Sequence, residues 1–384
     1  MDKRPRRHFL FPWRHGNRFT LLVDGAQFIP EMLGAIAGAK QSVWLEIYLF
    51  ESGVVADRFI QALADAVQRA VQVKLLLDDF GAAGLSRYDR ARLREAGVDL
   101  LFFNPIRFRR LTENFARDHR KLLVVDERVA FTGGAGITDE FDPPGHPEQR
   151  WRETVVRIEG PVVADWAALF CLEWNRQTPR KLVCRPPSPE PPSGGSPGRV
   201  SIAQGLASQE IKRALLKQIR SAERTVWLAT AYFIPAWRIR RALRNAARRG
   251  VDVRLLLPGP HTDHPAVRHA GRRFYGRLLA NGVRIFEYQP RFLHSKVFLC
   301  DDWVSIGSSN LDRWNLRWNL EANQEIDDSE FAGEVRAMFE ADFRDSVECR
   351  YAQWRRRPWS ARARERLWGR VDLWLHRLGR GLRR

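Results

Sequence analysis

Stretches of consecutive apolar residues alternate along the chain with stretches in which apolar residues recur every three or four positions. Val43–Phe50 and Val73–Leu77 predict β-strands, and the pattern over Ile60–Val71 predicts an amphipathic helix. Leu122–Val125 and Val297–Leu299 are apolar at every position, which is typical of strands covered on both faces. The alternation predicts an α/β fold in which helices cross over between parallel strands.

The second half of the chain repeats the order of sequence blocks found in the first half. The block around Trp44, AKQSVWLEIYLF, recurs around Trp227 as AERTVWLATAYF, and RDHRKLLVVDERVAFTGG recurs as FLHSKVFLCDDWVSIGSS. Two further blocks match in the same order. Since the period is the size of a domain, we interpret the chain as two homologous halves.

A stretch rich in Pro, Gly and Ser, CRPPSPEPPSGGSPGR, predicts a linker between the halves. The expected organisation is a basic, aromatic N-terminal segment (1–20), a first half (21–183), the linker (184–200), a second half (201–350) and a basic amphipathic C-terminal tail (351–384). The first residues are basic but lack the apolar stretch of a signal peptide, and no later apolar run is long enough for a membrane span. We therefore expect neither.

Cysteine and histidine spacing does not favour a metal. The widely spaced cysteines form no C-x-x-C pair, so the sequence suggests neither a zinc site nor a disulfide framework, and a reducing cytoplasm fits them best: Cys171, Cys184, Cys300 and Cys349. A histidine cluster in a loop-like segment lacks acidic or cysteine partners: His261, His264 and His269. We expect no metal and no cofactor.

The matched blocks contain a motif, H-x-K-x4-D, that occurs once in each half. Its residues are His119, Lys121 and Asp126 in the first copy and His294, Lys296 and Asp301 in the second. Residues i and i+2 of a strand point to the same face, so each histidine projects together with its lysine. The apolar run before each aspartate suggests that the aspartates cap strand ends, which is a structural role within the motif.

Two imidazoles and two ammonium groups suit phosphodiester chemistry. The ammonium groups offset the charge that repels a nucleophile, one neutral imidazole attacks phosphorus, and the other protonates the departing alkoxide. The roles then reverse when an alcohol or water displaces the phosphohistidine. The recurrence of the motif at equivalent places is what makes this interpretation specific.

The paired motifs, with GSSN at 307–310 and the following LDRWNLRWNLEAN, resemble the phospholipase D superfamily, and residues 21–350 resemble its bacterial cardiolipin synthase branch. The resemblance implies two phospholipase D-like halves, each a mixed β-sheet sandwiched by helices, that share one active site. It also implies that His119 is the nucleophile and that His294 does acid-base work.

Further site residues follow from the same resemblance. Ser308 and Asn310 match the polar pair that donates hydrogen bonds to phosphoryl oxygens. Glu321 matches the carboxylate that holds the histidine ring, and Glu153 matches its counterpart in the first half. Gly136 departs from the pattern, because it stands where the family has asparagine. We therefore expect phosphate binding to be asymmetric, with most of the hydrogen bonds to phosphate donated by the second half.

The charge of the chain fits nucleic acid and an acidic membrane equally, and the tail is more informative about the substrate. The chain has 64 Lys and Arg against 45 Asp and Glu, a formal net charge of +19, which predicts an anionic partner. The tail carries an apolar helical face at Leu367, Val371, Trp374, Leu375, Leu378 and Leu382, with arginines on other faces. Other side chains suited to a membrane interface are Trp354, Trp359 and Trp368 near the end and Phe9, Leu10, Phe11 and Trp13 near the start.

As the resemblance implies, the expected function is phosphatidyl transfer between phospholipids, yielding cardiolipin, by a peripheral enzyme on the cytoplasmic face of the bacterial inner membrane. The expected partners are an anionic phospholipid membrane and phospholipid substrates. A hydrolase or nuclease of the same superfamily is the alternative within catalysis, so nucleic acid stays open as a partner. A catalytically impaired lipid- or nucleic-acid-binding protein is the alternative from another class.

Overall fold

The computed structural model describes residues 9–106, 114, 116–184, 195–205, 208–312, 318–359, 363 and 368. Most of the predicted linker, most of the C-terminal tail with its apolar face, and residues 313–317 lie outside the described residues. None of the helices within the described residues is long and apolar enough to cross a membrane.

The first half alternates strands and helices before it ends in an antiparallel region. Its elements are β1 (Arg14–Val23), α1 (Gly25–Gly38), β2 (Ser42–Ile47), α2 (Val54–Gln68), β3 (Gln72–Asp78), α3 (Arg87–Glu95), β4 (Asp99–Phe103), β5 (Lys121–Val125), β6 (Val129–Gly133), β7 (Thr154–Glu159) and α4 (Val163–Gln177), with 3-10 turns at Asp139–Phe141 and Pro147–Gln149.

The second half repeats this order with small additions. Its elements are β8 (Ser196–Gln204), β9 (Ser208–Gln209), α5 (Glu210–Ser221), β10 (Thr225–Ala229), β11 (Phe233–Ile234), α6 (Trp237–Arg248), β12 (Asp252–Pro258), α7 (Pro265–Arg272), α8 (Tyr275–Leu279), β13 (Arg284–Tyr288), β14 (Val297–Cys300), β15 (Trp303–Gly307), β16 (Leu311–Asp312), β17 (Leu320–Asp327), α9 (Ser329–Arg344), β18 (Ser346–Glu348) and α10 (Tyr351–Arg355).

One mixed sheet runs through both halves. Its order is β18-β13-β12-β10-β14-β15-β17-β8-β1-β7-β6-β5-β2-β3-β4, with β9 paired to β8 and a separate β11-β16 pair. In each half three parallel strands, β2-β3-β4 or β10-β12-β13, adjoin an antiparallel region that begins at β5 or β14. The halves meet where β1 and β8 pair antiparallel. The predicted fold of two homologous halves is confirmed.

Helices cover both faces of the sheet and create separate cores. On one face, α1 and α2 pack on the first-half strands through residues such as Phe28 and Phe59. On the other face, a cluster shared by both halves contains Trp166 of α4 and Phe339 of α9. The indole N–H of Trp166 donates to Gln324 Oε1 at 2.8 Å, which ties the halves together inside this shared core.

The observed elements shift two of the predicted boundaries. Strand β1 begins at Arg14, inside the segment expected to precede the first half, and β8 begins at Ser196, inside the expected linker. Both shifts have one cause: β1 and β8 are the strands that join the halves, and their register pairs Arg14 with Gly198.

Two expectations were wrong. Cys171 of α4 and Cys184 are joined by a disulfide, with Cα atoms 6.6 Å apart, although the spacing had suggested none. Trp354 was expected at a membrane interface, but it is buried and its ring centroid lies 5.0 Å from that of Tyr275.

The aromatic residues near the start are also packed on the protein. Phe11 is buried, and the rings of Phe9 and Trp13 lie 3.5 and 4.7 Å from the guanidinium of Arg199. Phe9, Phe11 and Trp13 therefore contact the protein, although they had been expected to face lipid.

Candidate active site

Both motif histidines line a single cavity of about 330 Å³. The other lining residues come from both halves: Tyr48, Leu49, Glu51, Lys121, Gly134, Gly136, Glu140, Trp151, Tyr232, Asp263, His264 and Asn319. The duplicated motifs therefore converge on one site rather than forming two.

Backbone hydrogen bonds between the halves position the two histidines. The backbone N–H of His119 donates to the carbonyl of Leu320 at 3.0 Å, and the N–H of His294 donates to the carbonyl of Arg152 at 2.8 Å. Each acceptor immediately precedes a glutamate in the sequence. Each histidine is thus held beside the glutamate of the opposite half.

The result is a crossed pair of histidine–carboxylate contacts. Nδ1 of His119 lies 3.0 and 3.1 Å from the two carboxyl oxygens of Glu321. Nδ1 of His294 lies 2.6 Å from Oε2 of Glu153. Because Nδ1 of each ring faces a carboxyl group, Nε2 is left for chemistry.

The two motif lysines lie beside the imidazoles. Nζ of Lys121 donates to the carbonyl of His119 at 2.6 Å. Nζ of Lys296 lies 3.0 Å from Nδ1 of His294 and 3.6 Å from Oε2 of Glu153. Both lysines are buried, and burial lowers the pKa of Lys121 to about 7. An anion in the cavity would stabilise the charged form of both.

The two carboxyl groups differ in their electrostatic environment. Burial raises the pKa of Glu321 to about 8, against the opposing effect of Lys121. Burial alone would also raise the pKa of Glu153, but Lys296 and the hydrogen bond from His294 outweigh it and hold this pKa below its ordinary value. At neutral pH Glu321 is therefore neutral and Glu153 is ionised.

Both imidazoles are neutral at neutral pH. Burial, with the charge of Lys121 second, lowers the pKa of His119 well below its ordinary value. Burial and Lys296 lower the pKa of His294 to about 4. A neutral ring can act as a nucleophile, whereas an acid must first acquire a proton.

The middle residue of each motif points away from its histidine and lysine. Arg120 is buried in an ion-pair network with Asp118, Glu46 and Glu173. Ser295 instead forms a 3.1 Å hydrogen bond with the hydroxyl of Thr154. The predicted same-face arrangement of histidine and lysine is observed, although β5 begins at Lys121 and β14 begins only after Lys296.

The two motif aspartates are not in the cavity lining. The carboxylate of Asp126 accepts hydrogen bonds from the backbone N–H groups of 40–42. Asp301 does the same with residues 223–225. Each fixes the end of its motif strand to the start of the neighbouring antiparallel strand, β2 or β10, so the structure gives Asp126 and Asp301 an anchoring role.

Ser308 and Asn310 occupy different environments. The Ser308 hydroxyl donates to Glu321, so it contacts the carboxyl group that holds His119, rather than being free for phosphate as expected. Asn310 is fully buried; its Oδ1 accepts from Thr230 at 3.3 Å, and its Nδ2 has no hydrogen-bond partner among the described residues. Neither Ser308 nor Asn310 is among the residues that line the cavity, but a buried amide without a partner is a donor that an anion can satisfy.

Glycines replace this pair in the first half, and their surroundings explain why. A Cβ on Gly134 would lie 2.2 Å from Oε2 of Glu153, the oxygen bonded to His294. A Cβ on Gly136 would lie 2.7 Å from the carbonyl oxygen of Leu49. Neither position has room for a side chain, so the asymmetry between the halves is part of the packing.

Aromatic residues that the sequence analysis did not single out surround the histidines. The ring of Tyr48 lies 4.7 Å from that of His119, and the ring of Trp151 lies 5.2 Å from that of His294. Tyr232 donates to Asp263 at the cavity wall. The available signal was the repeated block itself, since Tyr48 and Tyr232 stand near the ends of its two copies.

The histidine cluster does not assemble a metal site. His264 lines the cavity with Asp263 beside it. Among the residues that the structure describes, no group of three or more His, Cys, Asp or Glu side chains is arranged to hold a metal ion.

The chain is similar in sequence to proteins of a known family. The family described as "Cardiolipin synthase, PLD-like domain" matches residues 32–169 and 215–343. Cardiolipin synthase B of Salmonella typhi is 39% identical over 334 residues, which cover 84% of this chain and 80% of that protein. Cardiolipin synthase A of Pseudomonas aeruginosa is 36% identical over 344 residues, covering 88% and 69%.

A solved structure shares the fold at low sequence identity. Phosphatidylserine synthase of Haemophilus influenzae superposes with a TM-score of 0.74 over 92% of this chain and 93% of that one, at 14% identity.

Proposed function

The chain belongs to the family of phospholipase D-like cardiolipin synthases, and from that premise we propose that it makes cardiolipin by phosphatidyl transfer through a covalent phosphohistidine. The observation that carries the proposal is the crossed arrangement in one cavity. Two histidines each present Nδ1 to a glutamate of the opposite half, and two buried lysines lie beside them.

In the first step a phospholipid phosphodiester binds among the lysines. Nε2 of His119 attacks the phosphorus, a P–N bond forms, and the P–O bond to the leaving alcohol breaks. His294, which takes up a proton from water as the anionic substrate binds, gives that proton to the leaving oxygen. Lys121 and Lys296 offset the charge of the phosphoryl oxygens, and Nδ2 of Asn310 is a further donor for one of them.

The electrostatics of the site support this division of roles. Glu153 is ionised, so it stabilises an imidazolium on His294 once a proton is present. Substrate supplies a negative charge that offsets Lys296, and this raises the pKa of His294 above about 4. His119 faces the neutral Glu321 and is kept unprotonated, as a nucleophile requires.

In the second step the acceptor is a hydroxyl group of another phospholipid. His294 takes the proton of this hydroxyl, its oxygen attacks phosphorus, and His119 leaves. Two lipids are then joined through one new phosphodiester, and both histidines return to their starting states. Water in place of the acceptor gives hydrolysis instead.

We further propose that the enzyme attaches peripherally to the cytoplasmic face of the bacterial inner membrane. The net charge of +19 supports attraction to an anionic leaflet. Phospholipid substrates place the reaction at that surface.

Lipid analysis of a bacterial strain that lacks cardiolipin tests the proposed activity. Expression of the chain should produce cardiolipin, and expression of His119→Ala should not. Accumulation of phosphatidic acid without cardiolipin would instead identify a hydrolase, and DNA cleavage by the purified protein without lipid turnover would identify a nuclease.

A further inference from the structure

A second cavity, of about 620 Å³, lies on the outer surface of α5 and α6. We propose that this cavity and its rim form a docking surface for an anionic phospholipid membrane, which deepens and rests on the proposed function. We call it the arginine groove and define it by Arg220, Trp237, Arg238, Arg241, Asn245 and Arg249.

The arginine groove carries positive charge without acidic residues to balance it. Helix α6 carries five arginines and no acidic residue, while its buried face is apolar, with Ile239, Leu243 and Ala246 in the core. Within the part of the chain that the structure describes, neither Arg238 nor Arg241 forms a salt bridge. A cluster of arginines without carboxylate partners favours an anionic ligand.

The helix presents these charges as a flat row. Arg238, Arg241, Asn245 and Arg248 follow one another at intervals of three or four residues, so they share one face of α6. Twelve residues of helix extend about 18 Å. Such a row can contact several headgroups of a planar surface at once.

Trp237 adds an amphipathic ring at the edge of the row. It is the first residue of α6, its side chain is 53% exposed, and the guanidinium of Arg241 lies 5.2 Å from its ring. Tryptophan favours the headgroup zone of a bilayer, where its apolar body and polar N–H are both accommodated. This combination favours a membrane over a purely charged nucleic-acid backbone.

The arginine groove is connected to the active site by a short segment. Tyr232, which lines the active-site cavity, and Trp237 are five residues apart, so their Cα atoms are at most about 18 Å from each other. Strand β11 lies between them and pairs with β16, directly after Asn310. Membrane contact at Trp237 therefore brings the lipid surface close to the active-site cavity, in which the phospholipid substrates react.

Vesicle binding by charge-reversed protein tests the proposal. Arg238→Glu with Arg241→Glu reverses two of the three charges of the row, and Arg87→Glu with Arg94→Glu on α3 makes the same change in net charge at exposed positions of the first half. The probes are vesicles of phosphatidylcholine alone and vesicles that also contain phosphatidylglycerol. We expect the groove variant to bind the anionic vesicles at least about tenfold more weakly, and the α3 control to bind like the parent.

Trp237→Ala is a second variant that leaves the charge unchanged. Its binding should weaken at high as well as low salt, because the ring contributes apolar contact. Melting temperatures and turnover of a soluble short-chain phospholipid should match the parent for every variant, since no groove residue is placed in the catalytic machinery.

Three results would overturn the proposal: parental vesicle binding by the groove variant, equal weakening by the α3 control, or groove-dependent binding of duplex DNA in a protein that ignores anionic vesicles. Absence of turnover by the parent would count against the proposed function alone, because vesicle binding is measured without catalysis.

Discussion

Gly134→Ala should disable the enzyme without unfolding it, because the new methyl group would displace Glu153. The added Cβ would lie 2.2 Å from Oε2, so the carboxylate must retreat by about 1 Å or more to reach ordinary contact distance. That retreat breaks the hydrogen bond of 2.6 Å to Nδ1 of His294. A hydrogen bond to a charged group contributes about 1.5 to 3 kcal/mol, so kcat should fall roughly 10- to 150-fold.

A double-mutant cycle shows whether Gly134→Ala acts through Glu153. If it does, Gly134→Ala combined with Glu153→Ala should be no slower than Glu153→Ala alone. Gly34→Ala is the control, since a Cβ there meets nothing within 4 Å. It should keep parental kcat, and its melting temperature should equal or slightly exceed that of the parent, because alanine favours the interior of a helix more than glycine does. Losses that add in the double variant would refute the reasoning, because the glycine would then serve catalysis by another route.

Three other predictions concern Asn310, Gly136 and Glu321. Asn310→Ala should lower kcat roughly 100- to 1,000-fold if its amide binds a phosphoryl oxygen, and a loss of only a few-fold in steady-state assays would place the donor elsewhere. Gly136→Asn should reduce activity and melting temperature, because its Cβ would lie 2.7 Å from the Leu49 carbonyl; a faster variant would contradict the packing. Burial raises the pKa of Glu321 to about 8, so parental stability should fall as the pH rises from the ordinary value of 4.5 through 8. Glu321→Gln should therefore raise the melting temperature more at about pH 9 than at about pH 5, and equal changes would count against a neutral Glu321.

The sequence predicted the features that depend on order and spacing. Four repeated blocks predicted two homologous halves, and the two-residue spacing of His119 and Lys121 predicted that they share a face. The family resemblance identified Glu153 and Glu321. It did not reveal that each glutamate serves the histidine of the other half, because that depends on the backbone hydrogen bonds of His119 to Leu320 and of His294 to Arg152.

Residues whose role depends on their neighbours in space were harder to predict. Trp354 and Phe9 were expected to contact lipid, yet both pack on the second half, since an aromatic residue among arginines fits a protein surface as well as a membrane. Trp237 also lies among arginines in the sequence, yet it is exposed. Likewise, only the three-dimensional structure shows that the Ser308 hydroxyl donates to Glu321 and that Gly136 has no space for a side chain.

The covalent intermediate is the most direct test of the proposed mechanism. Protein mixed with a radiolabelled phospholipid that has a good leaving group is quenched in denaturant, and the phosphohistidine is then located by peptide mapping under alkaline conditions. Label should appear on His119 in the parent and in His294→Ala, and should be absent from His119→Ala. Label that persists in His119→Ala and is lost in His294→Ala would reverse the assignment, and active parent enzyme that never carries label would contradict covalent transfer.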